Sequence, residues 1–360
     1  MSKQKEGNKT VKFSVILSVL LSIIFIVVVL YLTVDPGDVE TILEKKIRYE
    51  FFVIAAFLNF LSWCIWGLRL KVLANATDEN VKVGWWESTK IIMANLFIAG
   101  ITPSMAGGEP VRIHLLCKKG MSLGSSTASV LGERLLDAIF LLISVPFAFF
   151  VFSNISEIGA ISIGLTIGII VFLIAIFMFF YAIKNPEKTK NLLIWINKKL
   201  SRFSKKKEKK SKVIDRINHE VDNFHDSMMV FLKQKKSAFL LAGFLTVLMW
   251  LSAWFIASMI LMGFGLDPFI IESLAAQVFL IIIIMMPTTP GSSGITELGA
   301  GGLYNVIIGP ANADLYLGPF VLMFRFITYH MNLIVGAIFM QKIFKSVASF
   351  SLDMVKKQDD

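Results

Sequence analysis

Thr102-Pro103-Ser104-Met105-Ala106-Gly107-Gly108-Glu109-Pro110 interrupts an apolar run that extends from Gly84 to Cys117. Whether that run crosses a membrane decides the topology of everything after it. Its setting is a chain of 360 residues that is 55% hydrophobic and 17% charged, whereas globular domains run near 45–50% apolar and about 25% charged. A bilayer core needs roughly 20 apolar residues per helix. Full-length runs occur at Phe13–Val34, Phe51–Leu70, Ser125–Phe152, Ile158–Ile183, Ala238–Phe264 and Asp314–Met340. Phe269–Pro310 is a second broken run, interrupted between Pro287 and Glu297. The reading is an all-α, polytopic integral membrane protein. Its first run is followed by Tyr31-Leu32-Thr33-Val34-Asp35-Pro36, which lacks the small residues of a cleavage site, so it is expected to stay as an anchor.

Charge decides which runs cross. With the N-terminus cytoplasmic, the 36 basic residues fall as four before the first run, three in Arg69–Lys82, three in Arg112–Lys119, sixteen in Lys184–Lys236 and four after Met340. Only Lys45, Lys46 and Arg48 then lie outside, and Lys90, Arg134 and Arg325 lie within membrane segments. Positive residues concentrate on the cytoplasmic side. The partition holds only if Gly84–Cys117 enters and leaves on the same face. Phe269–Pro310 should do likewise from the opposite face. The expected architecture is six full spans plus two re-entrant broken-helix hairpins. Residues 1–345 form a single membrane domain, 184–237 its basic cytoplasmic loop and 346–360 a cytoplasmic tail. The expected location is the cell membrane, multi-pass, with both termini cytoplasmic. Irregular backbone at membrane depth is tolerated where it is buried in protein or lines a wet cavity, so the hairpin breaks at Pro103, Gly107, Gly108, Pro290, Gly291 and Gly294 point to a cavity between them.

The two halves share a pattern. Glu109 follows the first break and Arg134 comes 25 residues later; Glu297 follows the second and Arg325 comes 28 later. Since the hairpins enter from opposite faces, this is the shape of an inverted repeat, which in transporters places the substrate site near the midplane. Arg134 lies roughly 14 Å and Arg325 roughly 17 Å inside their spans at 1.5 Å per residue. A charge there must face a partner or water. Asp137 shares a helix face with Arg134, three residues on, and lies four residues from Glu133; Glu133 and Asp137 are open to two readings, a structural ion-pair cluster or part of a binding site. Arg325 has no acidic residue within a helical turn, leaving Glu109 and Glu297 as candidate partners. An arginine fork suits phosphate or carboxylate. The glycines serve either close helix packing or backbone N–H groups aimed at an anionic headgroup.

The basic loop carries Leu192, Leu193, Ile196, Leu200 and Phe203 on one helical face, with Trp195 at its edge, as in a helix lying on an anionic leaflet. A second stripe runs through Val213, Ile217, Val221 and Phe224, and Lys205–Lys210 turns between them. This charge reads as positive-inside, so no nucleic-acid partner is expected. Cys64 and Cys117 make no disulfide framework or metal spacing, and His114, His219, His225 and His330 make no ligand set; no cofactor or metal is expected. His330, five residues past Arg325, is expected to be packed or at the cavity border.

Gly107-Gly108-Glu109-Pro110-Val111-Arg112, then Gly132-Glu133-Arg134-Leu135-Leu136-Asp137, then Pro287-x-x-Pro290-Gly291-x-x-Gly294-x-x-Glu297 resemble the lysylphosphatidylglycerol synthase transmembrane region. That is the flippase-like domain of multiple peptide resistance factor proteins, found also as stand-alone membrane proteins. The resemblance covers about Phe13–Lys345 and implies movement of a phospholipid or lipid-linked headgroup between leaflets. The synthase's large aminoacyl-tRNA-using domain has no counterpart here, so its chemistry is not expected to transfer and the chain is expected not to be an enzyme. Arg112, Arg134 and Arg325 are the candidates for headgroup phosphate, with Glu109, Glu133, Asp137 and Glu297 shaping the cavity. The expected partners are membrane phospholipids or a lipid-linked substrate, and the anionic leaflet at the basic loop; the oligomeric state stays open. A secondary transporter of a soluble organic anion and a scaffold for a lipid-modifying enzyme are the competing readings.

Overall fold

The architecture follows the apolar runs, extended wherever no glycine or proline stops them. In the computed structural model, residues 47–102, 107–153, 184–200, 235–284, 289 and 291–340 are described, with scattered positions between 170 and 181 and between 218 and 233. Every regular element among the described residues is helical. Four helices are long and apolar enough to cross a membrane: α1 (Tyr49–Thr77), α4 (Leu123–Ser153), α6 (Lys236–Gly263) and α9 (Pro310–Met340). They carry exposed Val53, Phe57, Ile143, Phe150, Leu240, Phe244, Ile334 and Ile338. Large apolar side chains left outward on long helices suit a lipid solvent. The expected span Phe13–Val34 and the tail 346–360 lie outside the described residues. Ile158–Ile183 is described only at a few positions, each helical.

The broken runs form two hairpins of shorter helices. The first pairs α2 (Trp85–Ile101) with α3 (Gly108–Lys118), and the second pairs α7 (Ile270–Ile284) with α8 (Ile295–Ile308). At 11, 15 and 14 residues, α3, α7 and α8 fall short of the length needed to cross, and α2, at 17, stands at its lower edge. Both breaks have a local cause. Ile101 is followed by extended Thr102, whose hydroxyl accepts the Gly107 N–H at 3.0 Å. At the other break Gly291, Ser292 and Gly294 all have positive φ, and the Gly294 N–H is capped by the Glu297 carboxylate at 2.7 Å. The expected break residues Pro103 and Pro290 lie outside the described residues.

The hairpins enter from opposite ends of the bundle. Helices α1 and α6 pack antiparallel: the Arg48 N–H bonds to Gly263 O at 2.9 Å at one end, and Glu79 pairs with Lys235 at the other. The first hairpin begins where α1 ends, and the second begins where α6 ends. Their tips meet, the Gly291 N–H lying 3.4 Å from Thr102 O.

Helix α1 runs seven residues beyond the expected end at Leu70, because Lys71-Val72-Leu73-Ala74-Asn75-Ala76-Thr77 contains no breaker. Arg69, counted among loop cations, therefore sits inside the helix and is fully buried. Arg112, also counted with a loop, is buried in α3. In the basic loop α5 (Pro186–Leu200) forms as expected, with Leu192, Leu193 and Trp195 exposed. Of the second stripe, Val221 is described and buried; Val213, Ile217 and Phe224, like Lys205–Lys210 and Phe203, lie outside the described residues.

Candidate functional site

Apolar packing divides into separate clusters, and the buried charges lie along the seam. One cluster gathers Leu141–Phe152 of α4, Trp254–Leu261 of α6, α7, α8 and the first half of α9. Another gathers Leu70 and Ala74 of α1 with α2, α3 and the far half of α9. A third, around Leu73, Leu135, Leu136 and Ala242, flanks them. Along α4, Glu133 and Asp137 fall between residues of different clusters. Along α9, Arg325 lies between Phe324 and Ile327 of the first cluster, just before Tyr329 of the second.

The larger charge group joins α1, α3, α4 and α6. Arg69 donates from Nη1 to Asp137 at 2.6 Å and to Thr246 Oγ1 at 3.0 Å, and from Nε to Glu133 at 3.2 Å. Arg112 Nη1 pairs with the other oxygen of Glu133. Two tryptophans complete the carboxylates: Trp66 donates to Glu133 and Trp250 to Asp137, both at 3.0 Å. Three cations (Arg69, Arg112, Arg134) face three anions (Glu109, Glu133, Asp137), so the set is formally neutral. The cation Arg69 was missed by the sequence reading, and with it Trp66, Thr246 and Trp250. The legible signal was that apolar helical sequence continues past Arg69 to Ala76.

Arg112 is incompletely satisfied. Its guanidinium is buried and lies 5.4 Å from the Trp66 ring centre, yet Nε and Nη2 have no hydrogen-bond acceptor among the described residues. A buried donor without an acceptor is costly, more so on a charged group.

Arg134 is half-exposed: its side chain is 41% exposed, and that of its partner Glu109 39%. Its main partner is Glu109 at 2.6 Å, across from α3, while Asp137 on its own helix face is 3.8 Å away. Of the two candidate partners for Arg325, Glu109 and Glu297, it is Glu297 that pairs with it. Its Nε donates to Glu297 at 2.9 Å and its Nη2 to Ser293 Oγ at 3.2 Å, with both side chains of the ion pair at 3% exposure or less. The Tyr329 ring covers the guanidinium at 4.1 Å. Arg325 is the sixteenth of the 31 residues of α9, at mid-span, and a five-residue π-helical turn, Phe326–His330, follows it. His330 is partly buried, its Nδ1 3.2 Å from Arg325 O. Single π turns occur often at functional sites.

Each hairpin thus contributes a glutamate in the first turn of its second arm, bound to Nε of an arginine in the next long helix. A continuous path links the two pairs: Glu109 is two residues from Gly107, Gly107 bonds to Thr102, Thr102 to Gly291, and Gly291 O lies 3.5 Å from Arg325 Nη2. Of the expected site residues, Glu109, Arg112, Glu133, Arg134 and Asp137 come together in one network, and Glu297 with Arg325 in a second beside it.

Residues 15–336 match the family described as the lysylphosphatidylglycerol synthase TM region. Similar curated proteins are UPF0104 membrane proteins of archaea. One from Archaeoglobus fulgidus is 33% identical over 82% of this chain and 87% of its own. One from Pyrococcus horikoshii is 26% identical over 92% of this chain and 99% of its own, and one from Methanothermobacter thermautotrophicus 23% identical over 80% and 84%. No solved structure matches the chain.

Proposed function

The chain belongs to the lysylphosphatidylglycerol synthase transmembrane family, and from that premise we propose that it moves a phospholipid, or a lipid-linked anionic headgroup, between leaflets. The observation that carries this reading is Arg112: a buried guanidinium with two donor nitrogens unmatched among the described residues, one helix turn from the half-exposed Glu109 that pairs with Arg134. A phosphate oxygen pair supplies what the fork of donors lacks. The headgroup enters beside Arg134 and Glu109 and is held by Arg112, while Glu133 and Asp137 keep the arginines in place. In the lipid setting the two hairpins are re-entrant and, with the long helix after each, form an inverted repeat within one membrane domain. Both termini and the basic loop lie on the cytoplasmic side of the cell membrane, and α5 rests its Leu192, Leu193 and Trp195 face on the anionic leaflet.

The test is reconstitution in vesicles holding headgroup-varied, fluorescently labelled phospholipids, with the outer leaflet quenched chemically. Wild type should move anionic lipid above the empty-vesicle rate, Arg112→Lys should slow it at least tenfold through loss of the fork, and Arg325→Ala should abolish it. Movement no faster than in empty vesicles, with correctly folded protein, refutes the proposal.

A further inference from the structure

The two glutamate–arginine pairs are built alike but differ in access. Arg134 and Glu109 have side chains 41% and 39% exposed; Arg325 and Glu297 have 3% and 0%. What seals the second pair is the meeting of the hairpin tips. The Gly291 N–H reaches Thr102 O, the Tyr329 hydroxyl donates to Gly100 O at 3.2 Å, and the Tyr329 ring lies on Arg325. Gly291 sits at φ 63°, and a Cβ there would stand 2.5 Å from Gly100 O and 2.6 Å from the Tyr329 ring. That fit admits only glycine. The chain therefore holds a tight closure directly over one arginine while its counterpart on the other hairpin stands open.

We infer that Arg325 and Glu297 form a second anion-binding subsite, twin to Arg134 and Glu109, which a latch of Gly100, Gly291 and Tyr329 keeps shut in this conformation. Glu297 and Ser293 occupy the arginine's donors while it is closed. Parting of the tips uncovers the pair, so that a phosphate can compete with Glu297 and Ser293 for those donors from the opposite side of the protein from Lys119, because the second hairpin enters at the Arg48–Gly263 end. The inference rests on the translocation reading for the identity of the anion, and on geometry alone for the latch.

The experiment reads access by thiol labelling of full-length protein in vesicles, with Cys64 and Cys117 changed to serine. Ser293→Cys reports on the buried pair, and Asp267→Cys, exposed between α6 and α7, is the control. A charged, membrane-impermeant methanethiosulfonate is added from either side. With the latch intact, Ser293→Cys should react at least a hundredfold more slowly than the control. Tyr329→Phe, which removes one hydrogen bond, should raise the rate roughly three- to tenfold, and Gly291→Ala should raise it further, in both cases only from the Arg48–Gly263 side. Glycerol 3-phosphate should slow the reaction in the Tyr329→Phe protein, and adding Arg325→Gln should remove that protection. Unchanged rates in Tyr329→Phe, reaction from the Lys119 side, or protection that survives Arg325→Gln each overturn the inference. Latch-dependent labelling without lipid movement would refute translocation and leave the latch standing; lipid movement without latch dependence would do the reverse.

Discussion

Replacing Arg69 by methionine removes the cation on which the buried network turns. Arg69 is fully buried and serves Asp137 through two nitrogens at 2.6 and 3.4 Å, Glu133 at 3.2 Å and Thr246 at 3.0 Å. Methionine fills much of the same volume, so little of the effect comes from a cavity. After the change, Glu133 keeps Arg112 and Trp66, and among the described residues Asp137 keeps only Trp250 and the 3.8 Å approach of Arg134. The neutral set of three cations and three anions becomes net negative at depth. Removing one partner of a buried pair costs about 3–5 kcal/mol, whereas removing both is often close to neutral. Arg69→Met should therefore lower stability by about 4 kcal/mol, roughly a thousandfold in the folding equilibrium at 1.4 kcal/mol per decade. Arg69→Met with Asp137→Asn should recover more than half of that, since neutrality returns and Trp250 can still donate to the amide oxygen. Equilibrium unfolding in mixed micelles, followed by tryptophan fluorescence, measures both. A single variant within about 1 kcal/mol of wild type, or a double variant less stable than the single, refutes the reasoning.

Three further outcomes follow from the same geometry. Glu297→Gln leaves Arg325 charged and buried and should cost about 3–5 kcal/mol, whereas Glu109→Gln breaks a half-exposed pair and should cost under about 1 kcal/mol, an ordering that thermal unfolding in detergent would check. Gly67→Ala should cost about 1–3 kcal/mol by overpacking, because the added Cβ would stand 2.7 Å from the Thr89 backbone and force α1 away from α2; the same unfolding assay reads it, and no effect would mean that the helices are not in register there. The hydrogen bond and charge of Lys235 hold the exposed Glu79 carboxyl below its ordinary range. A lowered native value adds stability above the unfolded-state carboxylate value and loses it as pH falls through the native one, so Glu79→Gln should be slightly less stable than wild type at neutral pH and equal to it at acidic pH.

Much of the fold was legible because membrane helices obey local rules. A span needs about twenty apolar residues, and four expected spans recur as α1, α4, α6 and α9. Clustered proline and glycine interrupt helices where a lone Pro146 or Pro319 does not, so both broken runs were visible, at Thr102–Pro110 and Pro287–Glu297. That Arg325 needs a partner from outside its own helix was also legible, with Glu109 and Glu297 as the candidates; that Glu297 takes it, and that Glu109 instead pairs with Arg134, was not. Arg69 was misplaced because a run of apolar residues shows where a helix can sit in lipid but not where it stops. The helix continued for two more turns and carried the charge inside.

What the sequence by itself determined, then, is what depends on neighbours along the chain: an all-helical membrane protein, the positions of its spans and breaks, and the residue types unable to stay unpaired at depth. Only the tertiary structure decided which charges share a site and which of them can be reached. Glu133 touches Arg69 across 64 residues and Arg112 across 21. Arg134 stands half-exposed while Arg325 is sealed, although the two occupy like positions after like hairpins. That difference comes from Tyr329 and Gly291 closing on Gly100, contacts 229 residues apart in the first case, and exposure is set by what other segments cover. The two breaks that open the chain's pattern thus acquired unequal roles only when their tips met.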